Sequence, residues 1–107
     1  MKAICLVLLS LALASASFYD LDGDVAVLTN ETFDDVIQEF EYSMVVFYVP
    51  WCRFSQALLL DYADAASQLA SFSPDVKLCK VDVEADLILF ERFNIQAYPT
   101  MMFFRKG

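Results

Sequence analysis

Six consecutive apolar residues, Met44-Val45-Val46-Phe47-Tyr48-Val49, run straight into Pro50 and then into a helical pattern. A strand covered on one face alternates apolar and polar positions. An unbroken, β-branched run fits a strand covered on both faces, as in a parallel sheet. Pro50 lacks an amide hydrogen and closes the run. From Cys52 to about Ala70 the periodicity is helical. It predicts Phe54, Leu58, Ala65 and Leu69 on one face, with Asp61, Asp64 and Gln68 turned outward.

The rest of the chain extends the same alternation. Phe18 to Asp24 reads as an acidic segment, and Val25–Leu28 as a short strand. Thr29 and Asn30 are helix-start residues, after which Phe33, Val36, Ile37 and Phe40 recur at helical spacing. Val76–Val83 reads as a strand and Asp86–Phe93 as a short helix, with Asn94 suited to the left-handed position beyond its end. Ile95 to Phe104 reads as a strand interrupted at Tyr98-Pro99-Thr100. Strands alternating with helices predict an α/β fold with a mainly parallel central sheet flanked by helices.

Residues 1–16 carry the marks of a secretory signal peptide. Lys2 is the positive start, Ala3–Ala14 is almost wholly apolar, and Ala14-Ser15-Ala16 offers a small-residue cleavage site. The apolar stretch is shorter than the roughly 20 residues that span a bilayer. No membrane span is therefore expected after cleavage, and residues 17–107 form one small domain. Fifteen acidic against seven basic residues give a net charge of −8. That balance argues against nucleic acid and anionic membranes as partners. Histidine is absent, which argues against a zinc site and imidazole acid–base catalysis; no metal and no cofactor are expected.

Of the three cysteines, Cys5 lies in the signal, leaving Cys52 and Cys79. A structural disulfide between them is one reading. The other separates them: Cys79 is an inert core thiol within a strand, and Cys52 a nucleophile at a strand-to-helix junction. Backbone N–H groups of a first helical turn favour thiolate over thiol. Asn30-Glu31-Thr32 is an N-glycosylation sequon, and Asn30 equally suits a helix cap.

Three motifs now stand in order: Phe47-Tyr48-Val49-Pro50-Trp51-Cys52, Lys80-Val81-Asp82, and Tyr98-Pro99-Thr100 followed by Phe103-Phe104-Arg105-Lys106-Gly107. Together they resemble the first thioredoxin-like domain of the protein disulfide isomerase family, from about Val25 to Gly107. Cys52-Arg53-Phe54-Ser55 resembles the motif of that family's endoplasmic-reticulum thiol-retention members, which hold client cysteines in mixed disulfides. The resemblance implies a thioredoxin-like fold and a Tyr98–Pro99 bond that is cis and faces Cys52. It also implies a closing strand and helix after Gly107, which this sequence does not contain, so a fragment of a longer or truncated product is expected. Three further departures are Ser55 for the usual second cysteine, Val46 for a buried glutamate, and Leu60 for a helix-kinking proline. Lys80 matches the lysine that faces that glutamate.

The resemblance, with the signal peptide, implies a function in protein folding and thiol-mediated quality control, in the endoplasmic-reticulum lumen or outside the cell. Cys52 is the expected nucleophile and Ser55 its neighbour, able to donate a hydrogen bond to a thiolate but not to resolve an adduct. Trp51, Arg53, Phe54, Tyr98 and Pro99 are the expected client-binding residues. The partners are cysteine-containing client proteins, with glutathione or an oxidoreductase for release. Two alternatives stand beside this one: a weak glutathione-dependent disulfide isomerase, and a redox-inactive client-binding chaperone domain. Any enzyme activity is at most that of a monothiol isomerase.

Overall fold

The computed structural model describes residues 18–106. The elements are β1 (Asp20–Asp22), β2 (Val25–Val27), α1 (Phe33–Glu39), β3 (Tyr42–Tyr48), α2 (Arg53–Phe72), β4 (Val76–Asp82), α3 (Leu87–Arg92) and β5 (Thr100–Arg105). The stretch read as a signal peptide lies outside the described residues.

One five-stranded sheet has the order β1-β2-β4-β3-β5. Its centre is parallel as expected, β4 pairing with both β2 and β3. Its margins are antiparallel: β1 on β2, and β5 on β3. The sheet is thus mixed. The first margin comes from a hairpin hidden in the acidic segment, where Gly23 at φ 61° turns β1 back onto β2. Polar, exposed β1 has no apolar alternation, which is why composition did not disclose it. The second correction concerns β5. Residues 95–99 are not strand; the Tyr98–Pro99 bond is cis, and the strand starts only at Thr100. Asn94 has the expected positive φ, 51°.

The unbroken apolar run of β3 has the predicted cause. Val45 and Phe47 point into a cluster with Phe33, Val36 and Ile37 of α1 and Leu89 of α3. Val46 points to the opposite face, against Tyr62, Ala66 and Leu78. Helices therefore cover both faces of the sheet, as a buried parallel centre requires. Four aromatic rings fill the first cluster, with Phe33 at 5.0 Å from Phe93, 5.5 Å from Phe104 and 6.4 Å from Phe47. Arg92 closes it from outside. Its guanidinium lies over Phe33 and Phe93 and forms two hydrogen bonds to Asp34, at 2.8 and 3.1 Å.

On α2 the buried face is Ser55, Tyr62 and Ala66, with Leu58, Leu59 and Leu69 beside them. The expected face was only partly right. Leu58 and Leu69 pack, but Ala65 is exposed and Phe54 points to solvent. The stripe is rotated because Tyr62 reaches the sheet, its hydroxyl lying 2.7 Å from Met44 O and 2.9 Å from Cys79 O. Among the described residues, no helix is long and apolar enough to cross a membrane.

Candidate functional site

Three chain segments converge where the central strands of the sheet end. Parallel neighbours β3 and β4 end there together, and antiparallel β5 begins there, Thr100 opposite Phe47. Whatever follows β3 therefore meets whatever follows β4 and whatever precedes β5. Those segments are Pro50-Trp51-Cys52, Val83-Glu84 and Tyr98-Pro99.

Cys52 is the N-cap residue of α2, with φ −78° and ψ 122°. Its amide donates to Val49 O at 3.2 Å, and its carbonyl accepts from Gln56 N at 3.0 Å. Gln56 Nε2 also donates to Pro50 O at 2.7 Å, fixing the turn. The extended backbone at the cap leaves the side chain outside the helix, in front of the first turn's free N–H groups. The Ser55 amide, then the Ser55 hydroxyl, then the Phe54 amide hold the thiol below its ordinary value. Opposite them, Cys52 Sγ lies 3.9 Å from the carbonyl oxygen of Tyr98, on the cis bond to Pro99.

Ser55 is fully buried, and its Oγ has no hydrogen-bond partner among the described residues. That orphaned hydroxyl is a donor in waiting: it gains an acceptor when the sulfur loses its proton. A buried polar atom without a partner ordinarily costs about 1–3 kcal/mol. Here the thiolate form supplies what the thiol form does not. Alkylation of Cys52 by iodoacetamide should accordingly rise with pH to a midpoint below that of free cysteine. A midpoint at or above the free value would remove the helix-end account. Cys79 should not react in the folded protein, because burial pushes its thiol up to about 12.

Trp51 and Phe54 are both largely exposed, 65% and 75%. Trp51 is tethered all the same: its ring meets Tyr98 edge-on at 6.2 Å, and its Nε1 donates to Glu84 Oε2 at 2.6 Å. The expected residues Trp51, Cys52, Ser55, Tyr98 and Pro99 thus come together, with Arg53 and Phe54 exposed on the first turn of α2. Arg53 is a surface charge and is not among the groups that lower the Cys52 thiol.

Two other expectations need revision. Lys80 lies opposite Val46 in the register, as the resemblance implies, but with no glutamate there its partner lies elsewhere. Its ammonium pairs with Asp22 at 2.6 Å. Asn30 is not the cap of α1; Thr32 is. Asn30 is exposed and donates its backbone and side-chain N–H groups to Asp86 Oδ2, at 2.7 and 3.1 Å. Burial raises Asp86, but the amides of Leu89 and Asn30 outweigh it and hold the carboxyl below the usual range. Cys52 and Cys79 are both free thiols.

Sequence reasoning missed Glu84. The signal was available in its position: it follows β4 by two residues, as Pro50 follows β3, and adjacent parallel strands bring such positions together. No group of three or more His, Cys, Asp or Glu side chains that could hold a metal occurs among the described residues.

The thioredoxin family matches residues 24–107. Protein disulfide-isomerase A4 of Homo sapiens is 43% identical over 81 residues, covering 76% of this chain and 13% of that protein. Protein disulfide-isomerase of Drosophila melanogaster is 37% identical over 107 residues, covering 97% of this chain and 22% of that protein. The chain therefore spans under a quarter of the length of these relatives. The zinc-bound form of human ERp44 superposes with a TM-score of 0.72 at 31% identity, over 76% of this chain and 24% of that one. The first thioredoxin domain of mouse protein disulfide-isomerase A4 gives 0.74 at 26% identity, over 87% of this chain and 71% of that one. Matched from residue 24 onward and folded on the same plan, the chain belongs to the thioredoxin family, as a thioredoxin domain of the protein disulfide-isomerase kind.

Proposed function

We propose that this domain is a monothiol quality-control factor of the secretory pathway, which captures cysteine-containing client proteins as mixed disulfides through Cys52. The observation that carries the reading is the pair at the start of α2: a thiol held toward its anion, and one turn on a hydroxyl where a second sulfur would be needed for release.

The step balances as an exchange. Cys52 Sγ, as thiolate, attacks one sulfur of a client disulfide along the S–S axis. A bond forms between Cys52 and that sulfur, and the client's own S–S bond breaks. The second client sulfur departs with the electron pair and takes a proton from solvent. One disulfide is consumed and one is made, so no outside oxidant is required. Ser55 cannot repeat the attack on the adduct. Release falls to an external thiol, glutathione or a partner oxidoreductase.

Trp51, Phe54 and Tyr98 offer apolar surface beside the sulfur, and Arg53 and Pro99 border it. Exposed aromatic rings at a reactive centre support non-covalent client binding as a contribution alongside the covalent one. Removal of residues 1–16 as a signal, leaving 17–107 as the mature domain, fits endoplasmic-reticulum or extracellular residence. An exposed Asn30 within a sequon fits the same compartment.

The test is direct. Purified domain is challenged with a linear peptide whose single cysteine is held as a disulfide with thionitrobenzoate, so that no second peptide thiol remains to reverse the capture, then run on a non-reducing gel and mapped by mass spectrometry. The expected result is one peptide linked to Cys52, stable in buffer without thiol and released by added glutathione. No adduct, or an adduct that departs unaided, overturns the proposal.

A further inference from the structure

The indole of Trp51 is held from two sides, and one side is a carboxylate outside the motif. Glu84 Oε2 accepts from Trp51 Nε1 at 2.6 Å. Glu84 is itself fixed, because Asp82 Oδ1 accepts from the amides of Glu84 and Ala85 at 3.0 and 3.2 Å. Asp82 is the last residue of β4, directly opposite Tyr48 of β3 in the register. The backbone that bears the carboxylate is therefore tied to the end of β4. On its far side the indole meets the ring of Tyr98, whose carbonyl oxygen faces Cys52 Sγ.

A ring 65% exposed and one residue from a nucleophile has every reason to swing. Two χ angles separate its lone anchor to the chain from the indole nitrogen. The hydrogen bond to Glu84 removes that freedom, and it is charge-assisted, hence among the stronger kinds. We propose that Glu84 is a positioning residue: it clamps Trp51 against Tyr98 as a fixed wall of the approach to Cys52, and so favours extended polypeptide clients over small thiol reagents. The clamp acts by pre-organisation. An incoming peptide meets an apolar wall already in place and does not bear the cost of ordering it. A reagent of a few atoms passes the wall whether it is fixed or not. Glu84 touches neither the sulfur nor the client.

The inference rests on Cys52 being an accessible nucleophile, and the test separates its failure from that of the exchange reaction. Trp51 is the sole tryptophan of the chain, so its fluorescence reports this contact alone. Three reagents are compared on wild type, Glu84→Ala and Glu84→Gln: iodoacetamide, a ten-residue peptide bearing a maleimide, and the same peptide bearing a disulfide. Cys52→Ala serves as the blank. Alkylation by the first two attaches Cys52 Sγ to carbon, with loss of iodide or addition across the maleimide double bond, and needs no exchange.

Glu84→Ala is expected to shift the Trp51 emission, lower its anisotropy and slow the maleimide peptide by about fivefold, with iodoacetamide changed by less than about twofold. Glu84→Gln keeps an acceptor oxygen and should restore both the emission and the peptide rate. Equal slowing of both alkylating reagents, or an unchanged Trp51 signal in Glu84→Ala, overturns the inference. So does failure of Glu84→Gln to recover the peptide rate. A wild type that accepts the maleimide peptide but not the disulfide peptide overturns the exchange reaction instead and leaves the clamp standing.

Discussion

Ser55→Cys shortens the life of the Cys52–peptide adduct by at least about a hundredfold in buffer without added thiol. Position 55 lies on the first turn of α2, so its side chain already faces the Cys52 sulfur. The wild-type hydroxyl is buried and unpartnered, so the replacement breaks no hydrogen bond. The new thiol attacks Cys52 Sγ within the adduct. A bond forms between the sulfurs at 52 and 55, the bond to the peptide breaks, and the peptide leaves reduced. Intramolecular attack gains from effective concentrations far above those of any dissolved thiol. The proton of the new thiol sets a limit. Burial raises a thiol's pKa, and Val46, fully buried on the sheet face covered by α2, offers no carboxylate to receive the proton. Release should therefore accelerate as pH rises toward that raised pKa and slow as pH falls below it. An adduct equally long-lived in wild type and Ser55→Cys would show that something other than the missing sulfur retains the client.

Much of this site was legible because it is built at ends of strands. An unbroken apolar run, a proline and a helical period locate Cys52 to within a residue of its observed place at the cap of α2. The order of strands and helices predicts the parallel centre for the same reason: crossovers leave few alternatives. The margins were less legible. β1 is three exposed residues whose strand character comes from pairing with β2, and no alternation marks it. The rotation of α2 also escaped. Phe54 is apolar and at core spacing, yet Tyr62 claims the position over the sheet and turns Phe54 outward. Periodicity fixes which residues share a helix face but not which of two overlapping stripes is buried. Partners across the fold are harder still. Lys80 with Asp22, Asn30 with Asp86 and Trp51 with Glu84 join residues far apart in sequence. Hydrophobic periodicity carries no trace of such pairs; of the three, only Trp51 with Glu84 could have been sought from matching positions beyond the ends of two adjacent parallel strands.

Phe33→Ala is expected to cost about 4 kcal/mol and to lower the melting temperature by about 20 °C. Phe33 opens α1, a helix of seven residues. So short a helix does not hold itself and depends on its packed face. Phe33 is 1% exposed, with three rings around it and the Arg92 guanidinium 5.4 Å above. Truncation leaves a cavity bounded by Phe47, Phe93 and Phe104, rings too rigid to collapse into it. Phe33→Leu retains most of the volume and should cost about 1.5 kcal/mol. Phe103→Ala is the contrast. Phe103 also stacks on a ring, Tyr42 at 5.8 Å, but it is 57% exposed, and its loss should cost under about 1 kcal/mol. Urea denaturation of the three variants, compared at constant slope, checks the order. The cluster matters for the site as well, since Cys52 and Tyr98 pack on it from outside. Phe33→Leu should therefore keep the wild-type rate of Cys52 alkylation, because its smaller cavity leaves Phe47 and Phe93 in place. A larger loss from Phe103→Ala than from Phe33→Ala would move the centre of stability to the β5 edge and away from the layer that supports the thiol.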